Sequence, residues 1–220
     1  MFKDRRDAGE KLGQALQSYK AKAALVLAIP RGGVEVGYYV ARHVQGELGV
    51  VVCRKLPYPD NPEAGFGAVA EDGSVFIQKD ALGFLSREEV DRILQEQKAE
   101  IARRVAVFRG GEALPVITGR DVILVDDGIA MGSTMRAAAM VCKNKKAKKI
   151  IVASPVAGPG IAEAFAGIAD EVVVLEQPPF FRAVAQVYEN WYDVPEAEVL
   201  GFIRRARRER KETRDIDREK

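Results

Sequence analysis

Val122–Thr134 reads VILVDDGIAMGST. A run of apolar residues drives straight into two adjacent carboxylates, Asp126 and Asp127. A mostly small stretch, Gly128 to Thr134, then opens an alanine-rich segment. The pattern predicts a buried strand, a turn and a helix. Two neighbouring carboxylates at the end of a core strand are costly unless solvated, paired or used. A small-residue turn entering a helix offers free backbone N–H groups. It also offers the positive end of the helix dipole and the hydroxyls of Ser133 and Thr134, which together suit a phosphate. Glycine turns of this kind are common as plain fold geometry, and the acidic pair directly before this one sets it apart. Neither GxxxxGK[ST] nor GxGxxG is present, which excludes a Walker loop and a dinucleotide fingerprint.

Outward from this segment the chain alternates. Strands are predicted at Ala23–Ile29, Gly49–Leu56, Ile150–Pro155 and Glu171–Leu175. Helices are predicted at Asp4–Ser18, Val34–Gln45, Thr134–Lys143 and Ile161–Ala166. Continuous β-branched runs fit strands buried on both faces, and strand–helix alternation implies right-handed βαβ units around a parallel sheet. Ligands of such sheets bind at the carboxyl ends of the strands. Between the halves, Pro57–Gly67 (PYPDNPEAGFG) reads as a loop and Ala68–Gln78 as a short hairpin around Asp72-Gly73. A long helix runs from Ser86 to Phe108, with Ser86 and Glu89 forming a capping box and Gly110-Gly111 ending it.

The 220 residues are 47% apolar and 30% charged, an ordinary globular balance with a net charge of +2. Residues 204–220 carry nine Lys/Arg and five Asp/Glu, +4 in all, so the rest is about −2. Interleaved charges there favour a solvated helix that frays over a nucleic-acid site. The two cysteines suit a reduced, cytoplasmic setting, and no secretory or membrane-spanning segment is expected. His43, the only histidine, falls mid-helix. No Cys/His spacing suggests zinc.

VILVDDGIAMGST resembles the phosphoribosyl pyrophosphate motif of the type I phosphoribosyltransferases. The resemblance implies an α/β fold with a central parallel sheet flanked by helices, a small hood and a helical insertion. The expected organisation is one domain over 1–203, with the insertion at about 57–115 and the hood at about 176–195, then the charged tail 204–220. Asp126 and Asp127 would hold the ribose 2′- and 3′-hydroxyls, directly or through Mg²⁺. Ala130, Met131, Gly132, Ser133 and Thr134 would cradle the 5′-phosphate. Two departures stand out. Many purine-salvage members carry an acidic residue where this chain has Ala130, which weakens a purine-salvage reading. Met131 stands where Thr is usual.

Ile29-Pro30-Arg31-Gly32-Gly33 is similar to the family's pyrophosphate loop, and the xanthine–guanine members have a like Arg-Gly-Gly. Read alone it is an ordinary strand–helix turn. Its glycines would let backbone N–H groups approach an anion, and Arg31–Gly32 is a candidate cis peptide. Arg54-Lys55 is similar to a pair in the orotate and adenine members that contacts pyrophosphate, and both residues are expected at the carboxyl edge. Pro57–Gly67 matches the family's mobile catalytic lid by position only. In the hood, Phe180, Phe181, Tyr188, Trp191 and Tyr192 place five of the 16 aromatics within 13 residues. Tyr188, Trp191 and Tyr192 are candidates to stack a planar acceptor. A small hydrophobic core is the other reading. From Ile29 to about Gly201 the chain is similar to an uncharacterised branch with PRGG, RKL, NPE, DDG and GST-type segments.

The resemblance implies attack of a nucleobase-like acceptor on C1′ of phosphoribosyl pyrophosphate with loss of pyrophosphate, and Mg²⁺ as cofactor. It also implies a homodimer. Two alternatives remain: a non-catalytic sensor of phosphoribosyl pyrophosphate or nucleotides, and a hydrolase with water as acceptor.

Overall fold

A computed structural model of the chain describes residues 1–78, 81, 83 and 85–218. Residues 79, 80, 82 and 84 of the expected insertion, and 219 and 220 of the charged tail, lie outside the described residues. Five strands form a parallel sheet in the order β2 (Glu47–Val50), β1 (Leu25–Ala28), β6 (Asp121–Val125), β7 (Lys149–Val156), β8 (Glu171–Glu176). The central position of β6 follows from its sequence, since Val122, Ile123, Leu124 and Val125 are all fully buried and a two-sided apolar strand needs cover on both faces.

Strand alternation divides that cover. Val26, Ile123, Val125, Ile151 and Ala153 face Leu12 of α1 (Arg5–Ala15) and Val36, Val40 and Val44 of α2 (Gly32–Val44). Leu25, Leu27, Leu124 and Val152 face α4 (Ser133–Asn144), with Ile161 and Phe165 beyond it. The short helix α5 spans Ile161–Ala164.

The segment expected as one strand, Gly49–Leu56, divides between two sheets. Val50 ends β2, and Cys53 begins β3 (Cys53–Tyr58) of a separate antiparallel sheet with β4 (Asn61–Ala70) and β5 (Val75–Ile77). Most of the stretch read as a loop, Pro57–Gly67, is therefore strand, with register shifts at Pro57 and Tyr58. Its glycines serve close approach: a Cβ on Gly67 would collide with the Phe76 carbonyl, and one on Gly65 with the Lys55 side chain. The Asp72-Gly73 turn is present, Gly73 having φ +87°. The expected helical insertion thus carries a small sheet as well as α3 (Arg87–Arg109). The Ser86–Glu89 capping box is formed, and Gly110 closes α3 in the left-handed region.

This second sheet braces α4 at both ends. Gln78 Nε2 donates to Ser133 Oγ at 3.3 Å. Asn144 Nδ2 donates to Ser74 Oγ at 2.9 Å and Asp72 Oδ2 at 3.3 Å. The last helix, α6, runs unbroken from Glu196 to Arg218. It is not solvated throughout: Glu209 accepts from Tyr38 Oη at 2.8 Å, and Arg210 pairs with Glu47 at 2.7 Å. Among the described residues no helix is long and apolar enough to cross a membrane.

Candidate active site

β6 delivers Asp126 and Asp127 to the carboxyl end of the sheet, where Val125 O accepts from Ile29 N at 2.9 Å and draws in the β1–α2 loop. Asp126 Oδ1 accepts from Asp127 N at 2.9 Å. Burial, then the neighbouring Asp127 charge, raises the Asp126 carboxyl well above the usual carboxylate range. Two carboxylates this close favour a cation between or beside them.

The loop after them is held by main chain. Ile129 N donates to Val156 O at 2.9 Å and Gly158 N to Ile129 O at 3.0 Å. Gly132 takes φ +75°, which glycine adopts freely. The N-cap residue of α4 is Gly132, which has no side chain to cap the helix, an arrangement that suits an anion at its first turn. A cleft of about 220 Å³ opens here, lined by Asp126, Gly128 to Met135, Lys55, Gly65 and Val184. All five cradle residues named from the sequence, Ala130 to Thr134, line it.

Gly32 and Gly33 pack directly on the acidic pair. A Cβ on Gly33 would come within 2.9 Å of Asp126 Cα, and one on Gly32 would overlap the Asp127 carboxylate. Arg31 precedes them; the cis peptide is Pro30–Arg31, one bond before the expected one. Arg54 and Lys55 part company. Lys55 lines the cleft, while Arg54 Nε donates to Gln97 Oε1 of α3 at 3.0 Å. Consecutive strand residues point to opposite faces, so one strand cannot aim both at the cleft. Burial and then the charge of Arg104 lower the Arg54 guanidinium below its usual range.

The aromatics of the expected hood have distinct settings. Tyr188 is 5% exposed and packs with Phe2, Ala8, Val156 and Val187. Its hydroxyl donates to Asp127 O at 2.7 Å. Trp191 and Tyr192 are 38% and 44% exposed. Tyr192 Oη donates to Glu198 at 2.9 Å. The first residues of the chain lace to this segment: Phe2 N donates to Val187 O, Glu189 N to Phe2 O and Asn190 N to Lys3 O.

Three residues that sequence reasoning missed belong here. Arg5 Nε donates to Asp127 Oδ2 at 2.8 Å. Val184 packs on Gly128 so closely that a Cβ there would collide with it. Glu35, on the first turn of α2, is 8% exposed, and its Oε2 has no hydrogen-bond partner among the described residues. Burial pushes its carboxyl up to about 7, partly opposed by Arg5. The conspicuous signal was Glu35 itself, an acid in the otherwise uncharged run from Gly32 to Ala41. Arg5 gives no local signal.

The phosphoribosyl transferase domain matches residues 4–190. The chain belongs to that family. Two curated relatives from Mycobacterium tuberculosis, each carrying the name "Putative phosphoribosyl transferase", are 42% identical over 219 residues, 99% of this chain and 49% of theirs. The chain spans about half the length of these curated relatives. The crystal structure of TT1426 from Thermus thermophilus is 38% identical with a TM-score of 0.77, over 92% of this chain and 97% of that one. The cleft at the DDG strand end is lined by Asp126 and, from residues 176–195, by Val184, while the PRGG glycines pack against the acidic pair.

Proposed function

We propose that this chain transfers the 5-phosphoribosyl group from phosphoribosyl pyrophosphate to a nucleobase-like acceptor and releases pyrophosphate. The observation that supports the reading best is one cleft lined by Asp126, the first residues of α4 and Lys55, with Asp127 beside Asp126 at the strand end. The 5′-phosphate would lie against the Gly132–Thr134 backbone. The carboxylates would face the ribose and stabilise positive charge growing at C1′. Gly32 and Gly33 would let main-chain N–H groups reach the pyrophosphate, and Lys55 would offset its charge. Val184 would keep water from C1′ on the hood side.

Among the described residues no three or more His, Cys, Asp or Glu form a metal cluster. Two adjacent carboxylates with one cationic side chain, Arg5, paired to Asp127 offer the hard oxygen donors that fit Mg²⁺. Asp126 and Asp127 would hold it, and it would neutralise the departing pyrophosphate. The buried free thiols of Cys53 and Cys142 support a reducing, cytoplasmic setting.

Ala130 favours a second reading, a non-catalytic sensor, because it offers no carboxylate to an acceptor. The deciding experiment is pyrophosphate release from Mg²⁺–phosphoribosyl pyrophosphate with a panel of purines, pyrimidines and orotate. Release dependent on one base supports transfer. Tight binding with no release under any acceptor favours the sensor.

A further inference from the structure

Arg5 lies outside every motif, yet it is 3% exposed and 122 positions from its partner, Asp127. Its guanidinium makes three contacts in three directions. Nε donates to Asp127 Oδ2 at 2.8 Å, Nη1 donates to Tyr192 O at 2.9 Å, and the group lies 3.9 Å from the Trp191 ring centroid. Tyr188, 5.1 Å from Trp191 between ring centroids, donates to Asp127 O. Asp127 is thus gripped by side chain and by main chain, and both grips end on residues 188–192.

A buried ion pair adds little net stability compared with apolar packing of the same shape. What it supplies is direction. The planar fork fixes both ends of its contacts at once, which a lysine ammonium cannot do.

We propose that Arg5 is a positioning residue that orients the Asp127 carboxylate for the phosphoribosyl substrate and couples it to hood residues 188–192. Donor site and hood then move together, so events at one are transmitted to the other. This inference rests on the phosphoribosyl pyrophosphate reading above.

Trp191 is the only tryptophan in the chain, so tryptophan emission reports on this position, where Arg5 lies over the ring. The test compares wild type, R5M and R5K. Binding of Mg²⁺–phosphoribosyl pyrophosphate is followed by calorimetry, turnover by pyrophosphate release, and folding by circular dichroism. In the wild type, ligand binding should change Trp191 emission. R5M should bind within about fivefold of wild type, because the phosphate and pyrophosphate loops are intact. Its turnover should fall by at least about tenfold, the scale of a lost charged hydrogen bond, and its emission should no longer respond. R5K should restore part of both.

R5M with turnover within about twofold of wild type and an unchanged emission response overturns the proposal while leaving the substrate reading intact. If R5M does not fold, R5K decides: wild-type turnover with a wild-type emission response overturns it. A wild type that binds no phosphoribosyl pyrophosphate overturns the substrate reading and the inference with it.

Discussion

Gly32 lies so close to Asp127 that a Cβ on it would fall on the carboxylate and come within 2.9 Å of Arg5 Nε. The two loops at the carboxyl edge are therefore fitted to each other, and the first glycine of the PRGG segment is set by the Asp127 side chain packed against it. G32A should displace Asp127 and cut pyrophosphate release by at least about tenfold, the scale of a misplaced charged contact. Wild-type turnover in G32A would show that the carboxylate has another productive position.

Asp127→Asn should abolish most turnover. From the sequence alone folding would be expected to survive unchanged. The Arg5 contact adds a cost, because the guanidinium keeps its hydrogen bond but loses the opposing charge. A loss of roughly 1–3 kcal/mol in urea denaturation is expected. An unchanged midpoint would mean that the ion pair carries no net stability.

The cradle should bind through its backbone. Ser133→Ala removes a hydroxyl whose partner is Gln78 and should weaken phosphoribosyl pyrophosphate little. Gly132→Val meets both a positive φ and Phe165, whose ring lies 3.2 Å from the new Cβ, so it should weaken binding strongly. Equal dissociation constants for the two variants would contradict a main-chain cradle.

Glu35 makes stability depend on pH. Burial raises its carboxyl from 4.5 to about 7 in the folded protein. Between those values the folded state binds more protons than the unfolded chain, so stability falls as pH rises through the window and levels off above it. E35Q removes this slope. Relative to wild type it should gain about 3 kcal/mol at most between pH 4 and pH 8. Parallel pH curves for the two proteins would refute the assignment.

Arg109 and Glu71 form a second buried pair, with side chains 7% and 9% exposed. Arg109 Nη1 also donates to Val50 O at 2.8 Å, and Glu71 Oε1 accepts from Val52 N at 2.9 Å. These contacts fix the point where the chain leaves one sheet for the other. R109M strands the carboxylate and should cost about 3–5 kcal/mol, read from the shift in denaturation midpoint.

What the sequence made legible was local. The β6–α4 unit, the capping box of α3 and the Asp72-Gly73 turn follow from neighbouring residues. The change of sheet after Val50 does not, because Val51 and Val52 stay fully buried on both sides of it and periodicity cannot register a new partner. Gly65 and Gly67 looked like loop residues because their packing partners, Lys55 and the Phe76 carbonyl, are set by pairing across the hairpin. Arg5 was invisible for the same reason at longer range. Tyr188 is aromatic, as a stacking residue would be, yet it is buried in a small core with Phe2. Composition alone cannot separate those settings.

The paired grip of Gln78 and the Asp72–Ser74 turn on the two ends of α4 works as a caliper. One inserted residue within 134–143 would advance Asn144 by about 1.5 Å and rotate it by about 100°, away from Ser74. Helix and hairpin can therefore change length only together, and insertions that leave the cradle seated should be confined to segments outside this span.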